Sequence, residues 1–278
     1  MTSALYDAQG PRGRRTIGYW TAAVLIVVAA FAAYVVYRFA QYGQFEAERW
    51  EVLANPEFQG FLFTGWLGTV TAAAIGLPLA LTLGGLLAFA RLSRFAVIRT
   101  SAKVFIDVFR GLPPLLLIFF IYLGAPAVGI QLSPLWSLVI GVTIYNGSIL
   151  GEVLRGGVLA LPGGQSEAAT ALGLSRTQGL RYVLLPPAIR MVLPLIVLQV
   201  ILIVKESSLG FIIGYVELLR NATGAISFLG PKYAIPVYTL IAVIFFVMNF
   251  SLSLLGKRLA KTPSRSTKVA VREMAGAV

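Results

Sequence analysis

Residues 111–151 contain no charged side chain. A helix rises 1.5 Å per residue, so about 20 apolar residues cross the ~30 Å of hydrocarbon in a bilayer. The run is too long for one crossing and long enough for two, with Gly124, Pro126, Gly129 and Pro134 signalling the turn between them. Further uncharged runs cover 17–37, 58–90 and 233–256, and a run from 191 to about 215 is interrupted only by Lys205 and Glu206. The stretch 58–90 exceeds one span but falls short of two, which predicts a short interfacial helix leading into a span from about Trp66. The stretch 17–37 is longer than the apolar core of a cleaved signal sequence, so it reads as a retained helix, with cleavage the lesser alternative. These runs predict an all-α integral membrane protein with about six transmembrane helices. A composition 58% hydrophobic and 12% charged, with mean hydropathy +0.83, belongs to the same class.

Net charge of +12 would suggest nucleic acid in a soluble chain, but here its distribution along the spans gives it another meaning. Arg12, Arg14 and Arg15 precede the first span; Arg91, Arg94, Arg99, Lys103 and Arg110 follow the second. Arg155, Arg176, Arg181 and Arg190 flank the fourth connection, and Lys257, Arg258, Lys261, Arg265, Lys268 and Arg272 follow the last span. With six crossings all of them fall on one side, while Glu46, Glu48, Glu51, Glu57 and Glu217 fall on the other. Positive loops stay cytoplasmic, so both termini are predicted inside. The domain organisation follows: a basic cytoplasmic N-terminus at 1–16, an extra transmembrane helix and acidic external segment at 17–57, a membrane core at 58–258 and a basic tail at 259–278. With neither cysteine nor histidine, the chain can form no disulfide, thiolate site, imidazole metal site or Ser-His arrangement of its own.

Within the core, 160–190 is the one long connection built of strong helix formers. Pro162, Gly163 and Gly164 stop the preceding helix, and 165–172 predicts two helical turns. Gly173 follows as a residue able to take positive φ. Ser175 and Gln178 form an S-x-x-Q capping box for a second helix over 176–185, which Pro186 and Pro187 are expected to end. Such a helix-turn-helix is too polar to span the membrane. Either it docks as a knob in a socket on a cytoplasmic protein, with Ala168, Ala169, Ala171 and Leu172 allowing close approach, or it rests amphipathically on the membrane surface.

Glu167-Ala168-Ala169, three residues, Gly173, nine residues, then Val183-Leu184-Leu185-Pro186 resembles the EAA loop of ABC importer permeases, with Val183 in place of the usual isoleucine. Phe109-Arg110-Gly111-Leu112-Pro113 is similar to the F-R-G-T-P element of the polar amino acid uptake permeases, departing at Leu112. Glu152-Val153-Leu154-Arg155-Gly156-Gly157 is similar to their E-I-x-R-G-G, Lys205-Glu206-Ser207-Ser208-Leu209 to K-D-T-S-L, and Glu217-Leu218-Leu219 to an outer E-L-L. The resemblance covers roughly 60–260 and implies a five-helix permease core. It further implies a loop coupled to a cytoplasmic ABC ATPase through Glu167, Ala168, Ala169, Gly173, Leu185 and Pro186. A second permease subunit, self or paralogue, and an extracytoplasmic amino acid-binding protein are implied as partners. No cofactor is expected on this chain: it has no G-x-x-x-x-G-K-[ST], so ATP and Mg belong to the partner ATPase.

Lys205 lies about 22 Å along a helix beginning at Met191, still in or near hydrocarbon. Each embedded charge costs roughly 2.5–3.5 kcal/mol on insertion scales and marks a pathway or a buried pair. Neighbouring helix residues point about 100° apart, so Lys205 and Glu206 cannot both face one cavity; Glu152 and Asn146 are the candidate partners. An amino acid needs an acidic group for its ammonium and donors for its carboxylate. Glu206 or Glu152 answers the first need, and Ser207, Ser208, Asn146 and Lys205 the second; the competing account is a helix-packing network that touches no substrate. Arg110 and Arg155 are placed at the inner interface, and Gly76, Pro78, Gly84 and Gly85 at a kink and a close helix contact.

The expected function is that of a permease subunit of an ATP-driven importer for a polar amino acid, with glutamate or a relative favoured by the acidic external segment and the embedded lysine. An ion-coupled secondary amino acid transporter is the alternative, since embedded charges and broken helices suit it too. An intramembrane hydrolase is excluded by the missing histidine and by aspartates only at Asp7 and Asp107.

Overall fold

The structure is a computed structural model that describes residues 10–260. Positions 1–9 and most of the basic C-terminal segment lie outside the described residues, within which every regular element is helical. In chain order these are α1 (Pro11–Gln41), α2 (Ala47–Glu51), α3 (Pro56–Arg91), α4 (Ala96–Gly111), α5 (Pro114–Ala127), α6 (Pro134–Leu159), α7 (Gly163–Ala171), α8 (Arg176–Gln178), α9 (Leu185–Glu206), α10 (Leu218–Leu229) and α11 (Ala234–Ala260). Five segments are long and apolar enough to cross a membrane: Arg15–Gln41, Pro56–Arg91, Pro134–Leu159, Arg176–Ile213 and Pro231–Arg258. Helices α4 and α5, bent by 101° at Leu112-Pro113, are long and apolar enough only as a pair, as a broken span or a re-entrant loop.

Lys232 pairs with Glu48 across 3.7 Å at the end that the charge pattern predicts to face outward, and Arg91 reaches Glu152 across 3.7 Å at the end predicted to face inward. The inner turn after α3 is tied to the cytoplasmic connection by the Arg176 guanidinium, which donates to the Leu92 carbonyl at 3.4 Å.

Helix α6 is the centre of the bundle and packs chiefly along α3. The inner seam is glycine-lined: a Cβ on Gly84 would stand 2.6 Å from Leu150 Cβ and 3.1 Å from the Gly147 carbonyl oxygen. Of the expected close-contact pair, Gly84 faces α6, whereas a Cβ on Gly85 would meet nothing within 4 Å. One hydrophobic cluster of Ala80, Ile118, Leu138, Val142, Leu150 and Ile203 joins α3, α5, α6 and α9. A second, at the outer end, joins α3 to α10 and α11 through Phe58, Leu62, Leu218, Ala222 and Val237. Helix α1 buries none of its apolar window against the rest of the described chain. The acidic segment after it does dock, with Val52 and Leu53 packed against the second cluster.

Three sequence-based expectations are corrected. No separate interfacial helix forms between Phe58 and Trp66: Asn55 accepts from the N–H groups of Glu57 (2.8 Å) and Phe58 (3.2 Å), Pro56 occupies the first turn, and α3 runs unbroken for 36 residues. At about 54 Å it outreaches the hydrocarbon, and its outer turns pack on α10 instead of on lipid. The 111–151 run does not hold two full-length spans: α5 has only 14 residues, about 21 Å, and α6 alone is long enough to cross. Pro186 and Pro187 do not end a helix. They fall at the start of α9, and a π-helical turn over Gly179–Leu184, closed by Leu185 N–H on Leu180 O, carries the chain into them.

Candidate functional site

The helix-turn-helix knob, predicted from the charge pattern to be cytoplasmic, is a tightly capped unit. Helix α7 ends with Gly173 at φ +74°, whose N–H donates to Thr170 O (2.9 Å) while Leu174 N–H reaches Ala169 O (3.1 Å). Those two bonds are the Schellman closure that a left-handed residue permits. Ser175 and Gln178 then form the expected capping box, with Ser175 N–H donating to Gln178 Oε1 at 2.9 Å. Ala169 is buried, and a Cβ at Gly179 would lie 3.3 Å from its methyl group, so α7 rests on the π-helical turn leading into α9. Glu167, Ala168 and Gly173 are exposed, and Leu172 is 79% exposed, an apolar tip on the knob. Leu185, half-buried, and Pro186 stand apart from the tip, at the start of α9.

At the far end of α9 the embedded charges separate. Glu206 is half-buried and its Oε2 accepts from Asn146 Nδ2 of α6 at 2.6 Å. Asn146 is fully buried; its Nδ2 also donates to Val142 O at 2.9 Å, and its Oδ1 accepts from Gln199 Nε2. Lys205 points elsewhere, exposed and without an ion pair among the described residues. Ser207 is buried and donates to Val204 O at 2.7 Å; Ser208 is half-buried in the 3₁₀ segment Ser207–Ile213. Glu152 does not join this group. The guanidinium of Arg155 grips it, with Nε at 3.0 and 3.1 Å from its two oxygens, and Arg91 stands behind, so its charge is already balanced at the inner end. Gln199 was not singled out in the sequence, although a lone amide seven residues before Glu206 in an apolar run shares a helix face with it.

Outside, Glu217 is fully buried and caps α10, accepting from the N–H groups of Arg220 (2.6 Å) and Leu219 (2.9 Å). The connection is latched to α3 by Tyr215 Oη donating to Gly68 O (2.8 Å) and Leu218 N–H donating to Thr69 Oγ1 (3.1 Å). Burial pushes the Glu217 carboxyl up to about 7, partly offset by the two capping bonds. A carboxyl raised in the folded state from the ordinary 4.5 binds more protons folded than unfolded between those values. Its stabilising contribution is therefore full in acid and lost as pH rises through about 7. Thermal unfolding in detergent is expected at a lower temperature at about pH 8 than at about pH 5, and Glu217→Gln should flatten that slope. A slope unchanged in Glu217→Gln would assign the effect to other groups.

The described residues form a multi-pass helical membrane bundle with a capped knob between spans and a polar group between two spanning helices. The chain belongs to the family of binding-protein-dependent transport system inner membrane components, whose model matches residues 76–265. It is 35% identical over 223 residues to the glutamate transport system permease protein GluD of Corynebacterium glutamicum, covering 79% of this chain and 81% of that one. It is 34% identical over 202 residues to the glutamine transport system permease protein GlnP of Escherichia coli strain K12, covering 72% and 91%. Among solved structures, an amino acid ABC transporter crystallised with histidines aligns with TM-score 0.69 and 27% identity, over 76% of this chain and 98% of that one. The inward-facing MetNI methionine ABC transporter aligns at 0.59 and 20% identity, over 73% and 94%, a likeness of fold.

Proposed function

We propose that this chain is the membrane subunit of an ATP-driven importer that carries a polar amino acid into the cell, with glutamate or a close relative favoured. The observation that carries this is the likeness to amino acid permeases over most of the chain, a glutamate permease and a glutamine permease among them. ATP and Mg are held by a separate ABC ATPase; this chain is the transport component. A second permease, itself or a paralogue, encloses the other half of the path, and a binding protein delivers the amino acid outside.

Mechanistically, Glu167, Ala168, Ala169 and Gly173 belong to the knob that seats on the ATPase, and Leu185 and Pro186 to the joint behind it. Ala169 bears on Gly179, so motion of α7 passes into the π-helical turn and along α9, about 33 Å of helix, to Glu206. Closure of paired ATPases would draw two such knobs together and rock α9, alternating access at its far end. There Glu206 receives the substrate ammonium, because its charge is unbalanced by any cation among the described residues. Ser207, Ser208 and Lys205 lie beside it as candidates for the carboxylate, Asn146 supports it, and Glu152 is neutralised away from it.

Uptake of labelled glutamate, glutamine, aspartate, arginine and histidine by cells expressing the whole system provides the test. ATP-dependent uptake of one of these, at least about tenfold lower in Glu206→Gln, is the expected result. Uptake driven by an ion gradient and indifferent to ATP would instead identify a secondary transporter.

A further inference from the structure

We propose that Gln199 is the positioning residue that fixes the Glu206 carboxylate, through Asn146, for its contact with the substrate ammonium. The inference rests on the proposal that Glu206 receives that ammonium.

An amide side chain has a carbonyl acceptor and an NH₂ carrying two donors, and in a buried site which end faces which neighbour is set by its partners. Asn146 is fully buried, and its hydrogen-bonding groups are engaged from three sides. One N–H goes to Val142 O on its own helix at 2.9 Å, the other to Glu206 Oε2 at 2.6 Å, and the carbonyl accepts from Gln199 Nε2. Asn146 thus has no donor left for a passing substrate. Its part is to hold one oxygen of Glu206, leaving Oε1 without a partner among the described residues.

What keeps the Asn146 amide the right way round is Gln199. Turned over, the amide would set its carbonyl oxygen against the Glu206 carboxylate, an acceptor facing an anion, and its NH₂ against the Gln199 NH₂. Gln199 and Glu206 are seven residues apart on α9, two turns, so one face of α9 grips the α6 amide from both sides. Gln199 is itself 6% exposed, too deep to meet substrate directly. The carboxylate it orients is the one acidic group in this region that no arginine or lysine neutralises among the described residues.

The test is equilibrium binding to the assembled permease–ATPase complex in lipid nanodiscs without binding protein. Glutamate, glutamine and arginine are compared, and the tightest-bound is set against its analogue with hydrogen in place of the α-ammonium. In Gln199→Met, which keeps the volume and removes the donor, affinity for the amino acid should fall about tenfold while that for the deaminated analogue stays level. Gln199→His, which can offer an N–H at the same number of bonds from Cα, should restore most of the discrimination. Equal loss for both ligands in an assembled complex, or no loss, overturns the proposal and leaves Gln199 a packing strut. If Gln199→Met does not co-purify with the ATPase, the comparison passes to Gln199→Ser, too short to reach Asn146; failure of both to assemble also overturns it. Glu206→Gln, measured alongside, separates the two levels. Discrimination kept in Glu206→Gln refutes the ammonium contact itself, whereas discrimination lost there but kept in Gln199→Met refutes the Gln199 role alone.

Discussion

Gly84→Leu is expected to remove the folded protein from the membrane, while Gly85→Leu, one residue on, is expected to be tolerated. The two positions share a helix, a depth and a residue type, and differ in what a side chain would meet. At Gly84 even a Cβ would stand 2.6 Å from Leu150 Cβ, 3.1 Å from Gly147 O and 3.2 Å from Gly151 N. Backbone atoms cannot rotate away, so α3 and α6 must part along the seam that organises the core. Overpacking of this kind costs about 3 kcal/mol, comparable to much of a protein's net stability, and lowers steady-state level accordingly. Gly85 faces open space and shares a groove with Leu81 and Phe89, room enough for a leucine. Membrane levels and thermal unfolding in detergent of the two variants provide the measurement; equal behaviour would mean that the close α3–α6 approach is not what holds the bundle.

The second large effect is expected at Gly173. Gly173→Asp should leave insertion and level unchanged and cut uptake at least about tenfold, while ATP hydrolysis continues, uncoupled. The residue sits at φ +74° on the exposed tip of the knob, with nothing within 4 Å of a Cβ. Aspartate and asparagine both enter the left-handed region more readily than other residues, so the backbone cost is nearly the same for either. Only aspartate adds a charge to a surface whose apolar Leu172 and small Ala168 suit close seating. Gly173→Asn therefore separates the causes: near-normal uptake points to the docking surface, and a loss equal to that of Gly173→Asp points to backbone strain. Normal uptake by Gly173→Asp would count heavily against docking at this loop.

How much of the site was legible in the sequence depended on range. The knob could be read because each of its devices is local. A capping box spans four residues, and a left-handed glycine closes a helix whose last turn lies beside it. The partner of Glu206 could only be narrowed to Asn146 or Glu152, because both are on α6 and the choice depends on which turn of α6 faces α9. The structure gives Asn146 to Glu206 and Glu152 to Arg155 and Arg91. Gln199 escaped notice because a single amide in an apolar run carries no charge and breaks no pattern.

The sequence by itself determined the class of the chain and predicted its orientation. Long uncharged runs have no other solvent than lipid, and 18 of 23 basic residues on one side leave one way to insert. It also determined the knob and its caps. The tertiary structure alone decided where helices continue and where they break. Helix α3 runs through Trp66 because α10 and α11 cover its outer turns, and the chain enters α9 across Pro186 and Pro187 by way of a π-helical turn.

 Hydropathy is a property of each segment taken alone. Which turn faces which partner depends on contacts between residues far apart in the chain, and it was those contacts that sorted Glu206, Asn146 and Gln199 into one group and Glu152 into another.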